Sequence, residues 1–282
     1  MNIKSFLKLS VMLSVGVSLW LIATPPSFAT FPGANGKIAF ARNPGNGNFQ
    51  IYVMNHDGSE LTNLTNNTAY YEPTPVWSPD GAKLAFTSNR SGNFDIWVMN
   101  ADGTGPRNLT SPSTASESDP AWSPDGNKIV FRRGVGVTTN LWIMDADRSN
   151  QCQRTFNTAQ FPSPFGPDWS PDGSQIAFAQ SLSNSQTEIY LVNPNCFEQP
   201  PQITQITNNG INSMRPSWSP DGTQKIVFER GPAGSSQVWV MVPNPANPNG
   251  PWVQTLLSTT SSFINGRNQS SAPPLRRPGG DE

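Results

Sequence analysis

A chain of 282 residues is long enough to bury a sizeable core, and a net charge of −1 with only 13% charged residues provides no basic stripe for nucleic-acid phosphates. The same poverty of charge excludes a polybasic membrane-surface helix. The 28 Pro and 23 Gly exceed the usual share but stay below what signals low complexity, which points to a loop-rich all-β protein.

Residues 1–29 read as a secretory signal peptide: Lys4 and Lys8 give the positive start, Leu9 to Ala23 the apolar stretch, and Ser27-Phe28-Ala29 the small-residue cleavage site. The apolar run is shorter than the ~20 residues of a spanning helix, so cleavage is expected rather than anchoring. The mature region, 30–282, then opens with Phe31 to Phe40 (FPGANGKIAF), which aligns with Trp77 to Phe86 (WSPDGAKLAF).

WSPDG itself occurs four times, starting at Trp77, Trp122, Trp169 and Trp218, in steps of 45, 47 and 49 residues. A period of that length marks a propeller or other repeat array. Pro presets φ for a turn, Asp suits the next position, and Gly accepts the left-handed conformation after it, so each pentapeptide should join two antiparallel strands. Short apolar runs follow at Leu84 to Phe86, Ile129 to Phe131, Ile176 to Phe178 and Ile226 to Phe228. A third strand follows at Ile96 to Met99, Leu141 to Met144, Ile189 to Val192 and Val238 to Met241, with a weaker fourth such as Arg107 to Thr110. Four short strands per unit is the blade signature. Units begin near residues 31, 77, 122, 169 and 218, predicting a single five-bladed β-propeller of four-stranded antiparallel blades, with six blades the alternative.

The first unit has second, third and fourth strands (Lys37 to Phe40, Ile51 to Met54, Leu61 to Thr65) but no first strand. Near the C-terminus, Pro273 to Gly280 lines up with Thr74 to Gly81, keeping Pro274, Pro278 and Gly280. A closing strand at about 272–276 is therefore expected to complete the first blade, pairing the two ends of the chain and removing an exposed edge. In the fifth unit, Gln224 is one residue more than the other hairpins hold, and Pro243 to Pro251 is a loop rather than a strand.

Trp77 to Thr110, including Asn89-Arg90-Ser91-Gly92 and Asn100-Ala101-Asp102-Gly103, resembles the WD-like propeller repeat of the TolB family, and the resemblance covers about residues 31–260. It implies a periplasmic propeller that binds another protein, in TolB itself the peptidoglycan-associated lipoprotein. TolB carries an α/β domain ahead of its propeller; here the first blade follows the signal peptide at once, so that domain is expected to be absent and a role in the Tol system is not implied.

Chemistry-bearing residues are scarce. The single histidine, His56, falls where Ala101 and Ala146 stand in other units and reads as a turn residue. No GxSxG elbow, HExxH or CxxC motif is present, and Asp145-Ala146-Asp147 lacks the rest of a calcium loop, so no metal site and no cofactor are expected. Most Asp residues are accounted for as turn formers. Glu72, Asp119 and Asp168 lie five, three and one residues before their Trp, with Arg215 three before Trp218. If the first strand of a blade is innermost, they approach the central channel from neighbouring blades. Three readings stay open: they solvate the channel, they bind a ligand or cation, or Glu72, Asp119 and Asp168 act as general acid and base on a glycosidic bond. Cys152 and Cys196 fall on one face of the ring, where a disulfide is possible in an oxidising compartment.

The expectation is thus an exported, periplasmic or secreted, non-catalytic propeller. It would act as a monomer with no membrane segment after cleavage, binding a partner protein or envelope polysaccharide through loops at one mouth of the channel. The alternative is a carbohydrate-active enzyme.

Overall fold

A computed structural model of the protein describes residues 36–67, 69–157, 163–182, 186–232, 236–247 and 250–258. The expected signal peptide, the opening of the first unit and the closing strand at 272–276 lie outside the described residues.

The chain is an all-β, five-bladed propeller. Blade 1 holds β1 (Ile38–Arg42), β2 (Gln50–Met54) and β3 (Thr62–Asn63). Blade 2 is β4 (Val76–Trp77), β5 (Lys83–Ser88), β6 (Asp95–Asn100) and β7 (Arg107–Asn108). Blade 3 is β8 (Ser116–Trp122), β9 (Lys128–Val135), β10 (Thr138–Asp145) and β11 (Cys152–Gln153). Blade 4 is β12 (Pro164–Trp169), β13 (Ile176–Ser181), β14 (Thr187–Val192) and β15 (Ile203–Gln205). Blade 5 is β16 (Ser213–Trp218), β17 (Ile226–Arg230), β18 (Gln237–Val242) and β19 (Val253–Ser258). Every blade is an antiparallel meander in chain order, with three strands among the described residues of blade 1 and four in each of the others. The first strands of blades 2 to 5 pack on one another in sequence, so the Trp-terminated strand is the inner one.

The WSPDG hairpin forms as its residues dictate. Ser78 N–H donates to the Lys83 carbonyl at 2.9 Å, Gly81 N–H to the Ser78 carbonyl at 2.9 Å, and Gly81 sits at φ +68°. The Ser78 hydroxyl donates to Asp80 Oδ1, and the Ala82 N–H closes on the same oxygen at 3.0 Å. These hydrogen bonds favour the ionised carboxylate and hold Asp80 below the usual range, its partner Ser78 contributing most. In blade 5 the supernumerary Gln224 is absorbed as a left-handed residue at φ +51°, stretching the closure to Ser219 N–H on Lys225 O at 2.8 Å.

The core lies between blades, because side chains along each strand alternate between its two faces. Leu84 and Phe86 face back to Ala39 and Ile51 of blade 1, while Ala85 and Val98 face forward to Ile129 and Phe131 of blade 3. The pattern recurs from blade 3 to 4 (Val130 against Ile176 and Phe178) and from blade 4 to 5 (Ala177 against Ile226 and Phe228). A large back face on a small front face lets the wedges close tightly, and each sealed Phe contributes about 2–3 kcal/mol. The outermost strands of blades 1 to 3 are only two residues long, which blunts the exposed edges.

Candidate functional site

Three residues before each Trp the inner strand breaks its pleat. Thr74, Asp119, Gly166 and Arg215 all take the left-handed conformation, at φ +60°, +53°, +57° and +52°, and each precedes a Pro. The register shifts by a residue at this point in β8, β12 and β16. Non-glycine residues rarely adopt this backbone, and pre-proline residues still less, so the bulge is held by its surroundings. It turns its side chain onto the second strand of the same blade. Thr74 meets Thr87 at 2.9 Å, Asp119 Oδ2 takes a hydrogen bond from Arg132 at 3.0 Å, and Arg215 donates to Glu229 at 2.7 Å. One position of the repeat thus carries a hydroxyl pair, an ion pair, and the same ion pair reversed. Asp119 and Arg215, two of the residues singled out from the sequence, are each engaged within their own blade.

Glu72 is sealed from solvent. Its Oε1 accepts from Arg90 and from Ser88 Oγ (3.1 Å), and its Oε2 from Asn67 Nδ2 at 3.0 Å. The Arg90 guanidinium lies over the Trp97 ring at 4.9 Å and near Phe86 at 5.6 Å, so the carboxylate neutralises a cation stacked in the blade core. Arg133 over Trp142 and Arg230 over Trp239, both at 4.5 Å, repeat the stack in blades 3 and 5.

Asp168 belongs to a third environment, between blades 4 and 5. Its Oδ2 accepts the Trp218 N–H at 2.7 Å and the Ser217 hydroxyl at 3.1 Å, stapling one inner strand to the next. On the other side of blade 4, the Trp169 indole donates to the Ala121 carbonyl of blade 3 at 3.2 Å. Desolvation pushes the Asp168 carboxyl up to about 6 despite those hydrogen bonds. Asp168→Ala leaves the Trp218 N–H without its acceptor and is expected to cost about 1–3 kcal/mol in urea unfolding. An unchanged midpoint would show that water replaces the carboxylate at no cost.

Among the described residues no hydrogen bond or ion pair joins any two of Glu72, Asp119 and Asp168. The structure places them in three separate settings: a buried cation stack, a bulge and an inter-blade staple.

A further carboxylate escaped the sequence reading, although it repeats the Glu72 offset of five before Trp. Glu117 is buried, with Oε1 held by Arg133 Nε at 2.8 Å and by Ser113 Oγ at 3.0 Å. Among the described residues its Oε2 has no hydrogen-bond partner, and the Asp95 carboxyl of blade 2 is close enough to favour its protonated form. Desolvation, aided by Asp95, raises its pKa from 4.5 to about 7 against the pull of Arg133. A raised acid binds its proton more tightly in the folded state, so this stabilisation is complete below pH ~4.5 and is lost as pH rises to about 7. Its size is of the order of 3 kcal/mol. Glu117→Gln, which mimics the protonated acid, is expected to remove this part of the pH dependence, melting higher than the parent at pH 8 and the same at pH 4.5. Parallel melting curves across that range would refute the assignment.

The surface also offers a cleft of about 440 Å³ between blades 2 and 3, beside the WSPDG turns. Asp80, Lys83, Arg107, Trp122, Asp125 and Asn127 are among the residues that line it. Charges of both signs beside an aromatic side chain suit a polar ligand of low net charge, or the polar rim of a protein contact.

The TolB β-propeller domain model matches residues 22–164. No curated protein matches the chain. Among solved structures, TolB from Acinetobacter baumannii superposes with a TM-score of 0.65 at 22% identity, covering 82% of this chain and 55% of that one. A putative TolB from Agrobacterium tumefaciens gives 0.58 at 22% identity, covering 73% of each chain. Hydrazine synthase from Kuenenia stuttgartiensis gives 0.59 at 19% identity, covering 74% of this chain and 37% of that one. The chain therefore spans about half the length of the Acinetobacter protein, and identities this low establish a shared fold only.

Proposed function

The chain belongs to the TolB β-propeller domain family, and from that premise we propose that it is an exported, non-catalytic propeller that binds a partner protein or envelope polymer at one mouth of its ring. The observation that carries this reading is the employment of the candidate acids. Glu72 neutralises a stacked arginine, Asp119 pairs with Arg132, and Asp168 holds the next blade's backbone, so each of the three is already engaged by a partner within the fold. A glycosidase needs its two carboxyl groups about 5–9.5 Å apart across the scissile bond. The cleft between blades 2 and 3 is the favoured contact face. The Cys152–Cys196 disulfide supports an oxidising compartment, the periplasm or the cell exterior.

The test uses immobilised mature protein and solubilised envelope. A stoichiometric component retained by the parent and lost on Lys83→Glu with Arg107→Glu supports the reading. Hydrolysis of any member of a polysaccharide panel, abolished by Asp119→Asn, would overturn it in favour of an enzyme.

A further inference from the structure

Four of the five junctions between blades are sealed, and they serve as internal controls for the fifth. The face each blade turns to its successor comprises one residue of the second strand and two of the third. Those trios are Ala39, Ile51 and Val53; Ala85, Ile96 and Val98; Val130, Leu141 and Ile143; and Ala177, Ile189 and Leu191. All twelve residues are at most 6% exposed. In blade 5 the counterpart Val227 is 36% exposed, and Val238 and Val240 are part-exposed. Leu257, standing where Leu109 and Ile206 are buried in blades 2 and 4, is 57% exposed. The opposite side of the junction is bare too: Ile38, Phe40 and Met54 of blade 1 are part-exposed, whereas Leu84, Phe86 and Met99 of blade 2 are at most 2% exposed. Blade 1 also has no inner strand among the described residues, which leaves one edge of β1 unpaired.

We propose that this seam is a strand-binding site occupied in cis by residues 272–276 of the same chain. The strand runs antiparallel to β1, with Leu275 opposite Ala39 and Arg276 opposite Ile38. The register follows from blade 2, where Val76 pairs with Ala85 and Trp77 with Leu84, once Pro274, Pro278 and Gly280 are laid on Pro75, Pro79 and Gly81. Reach is not limiting. Residues 259–271 can span about 40 Å when extended, against about 15 Å across the width of a blade and about 10 Å more to a facing sheet. The occupant resolves two deficits together: it pairs the free edge of β1 and draws the apolar faces of blades 5 and 1 into contact. Either face left bare is an association hazard.

Ile38→Cys combined with Arg276→Cys in the full chain tests the register. Opposed antiparallel residues have Cα atoms about 4.5–5.5 Å apart, within the range of a disulfide. The expected result is an intramolecular crosslink in a monomeric protein. Two reactive thiols in the folded chain, or a crosslinked dimer showing that a second copy donates the strand, overturn the proposal. Truncation after Ser258 is expected to lower the melting temperature and expose the seam to a hydrophobic dye, and unchanged melting and dye binding overturn the proposal. Should the truncated chain fail to fold, the crosslink still decides.

Discussion

Glu72→Ala is expected to destabilise the fold by about 3–5 kcal/mol, the usual cost of removing one partner from a buried ion pair. The alanine leaves the Arg90 guanidinium against Trp97 and Phe86 with no counter-charge, and orphans the donors on Ser88 and Asn67. Glu72 is fully sealed and the Arg90 side chain is 17% exposed, so solvent screening recovers only part of the loss. In a chain of this size that is a fall of about 6–12 °C in melting temperature. Glu72→Gln keeps the shape and should lose less. The pair of variants also separates two roles: a residue that served a ligand would give a stable protein with impaired binding. A parent-like melting temperature for Glu72→Ala would return Glu72 to the list of ligand-contacting residues.

Opening the disulfide is the second large effect. Cys152 begins β11 of blade 3, and Cys196 lies in the loop after β14 of blade 4, 44 residues on. A closure of that length restricts the unfolded chain by about 4 kcal/mol in the chain-entropy account. The folded loop has other anchors. The buried Arg154 donates from Nε to the Asn193 carbonyl at 3.0 Å and from Nη1 to the Glu198 carbonyl at 3.2 Å. Reduction should therefore lower the urea midpoint while leaving the near-ultraviolet spectrum of the native state almost unchanged. Cys152→Ser with Cys196→Ser should start at that lower midpoint and ignore reductant. A parent midpoint indifferent to reductant would mean that the reduced unfolded chain is already as compact as the bridged one.

Much of the fold is legible before any coordinates. The Trp of each repeat ends an inner strand, the Ser-Pro-Asp-Gly that follows makes the turn, and Leu84 to Phe86 and Ile96 to Met99 alternate as a blade requires. These are local rules: φ limits at Pro and Gly, a hydroxyl–carboxylate lock inside the turn, and a period of two along the strand. Asp119 and Arg215 lie on inner strands and Glu72 just ahead of one, but their partners are not visible in the repeat. Arg132 and Glu229 lie on the second strand of the same blade and Arg90 in the turn after it, 13, 14 and 18 residues away, and nothing local announces the pairings. Glu117 shows the reverse case, since its offset from Trp122 matches that of Glu72 and could have been read from the repeat.

The amino-acid order by itself determined the repeat, the turn chemistry, the strands of each blade and which faces are apolar, because each follows from backbone preferences within about fifty residues. Only the tertiary structure decided what the carboxylates do. Burial and the approach of a neighbouring blade set whether an acid is a free reagent, a counter-ion or a staple, and those distances exist only once the wedges stand side by side.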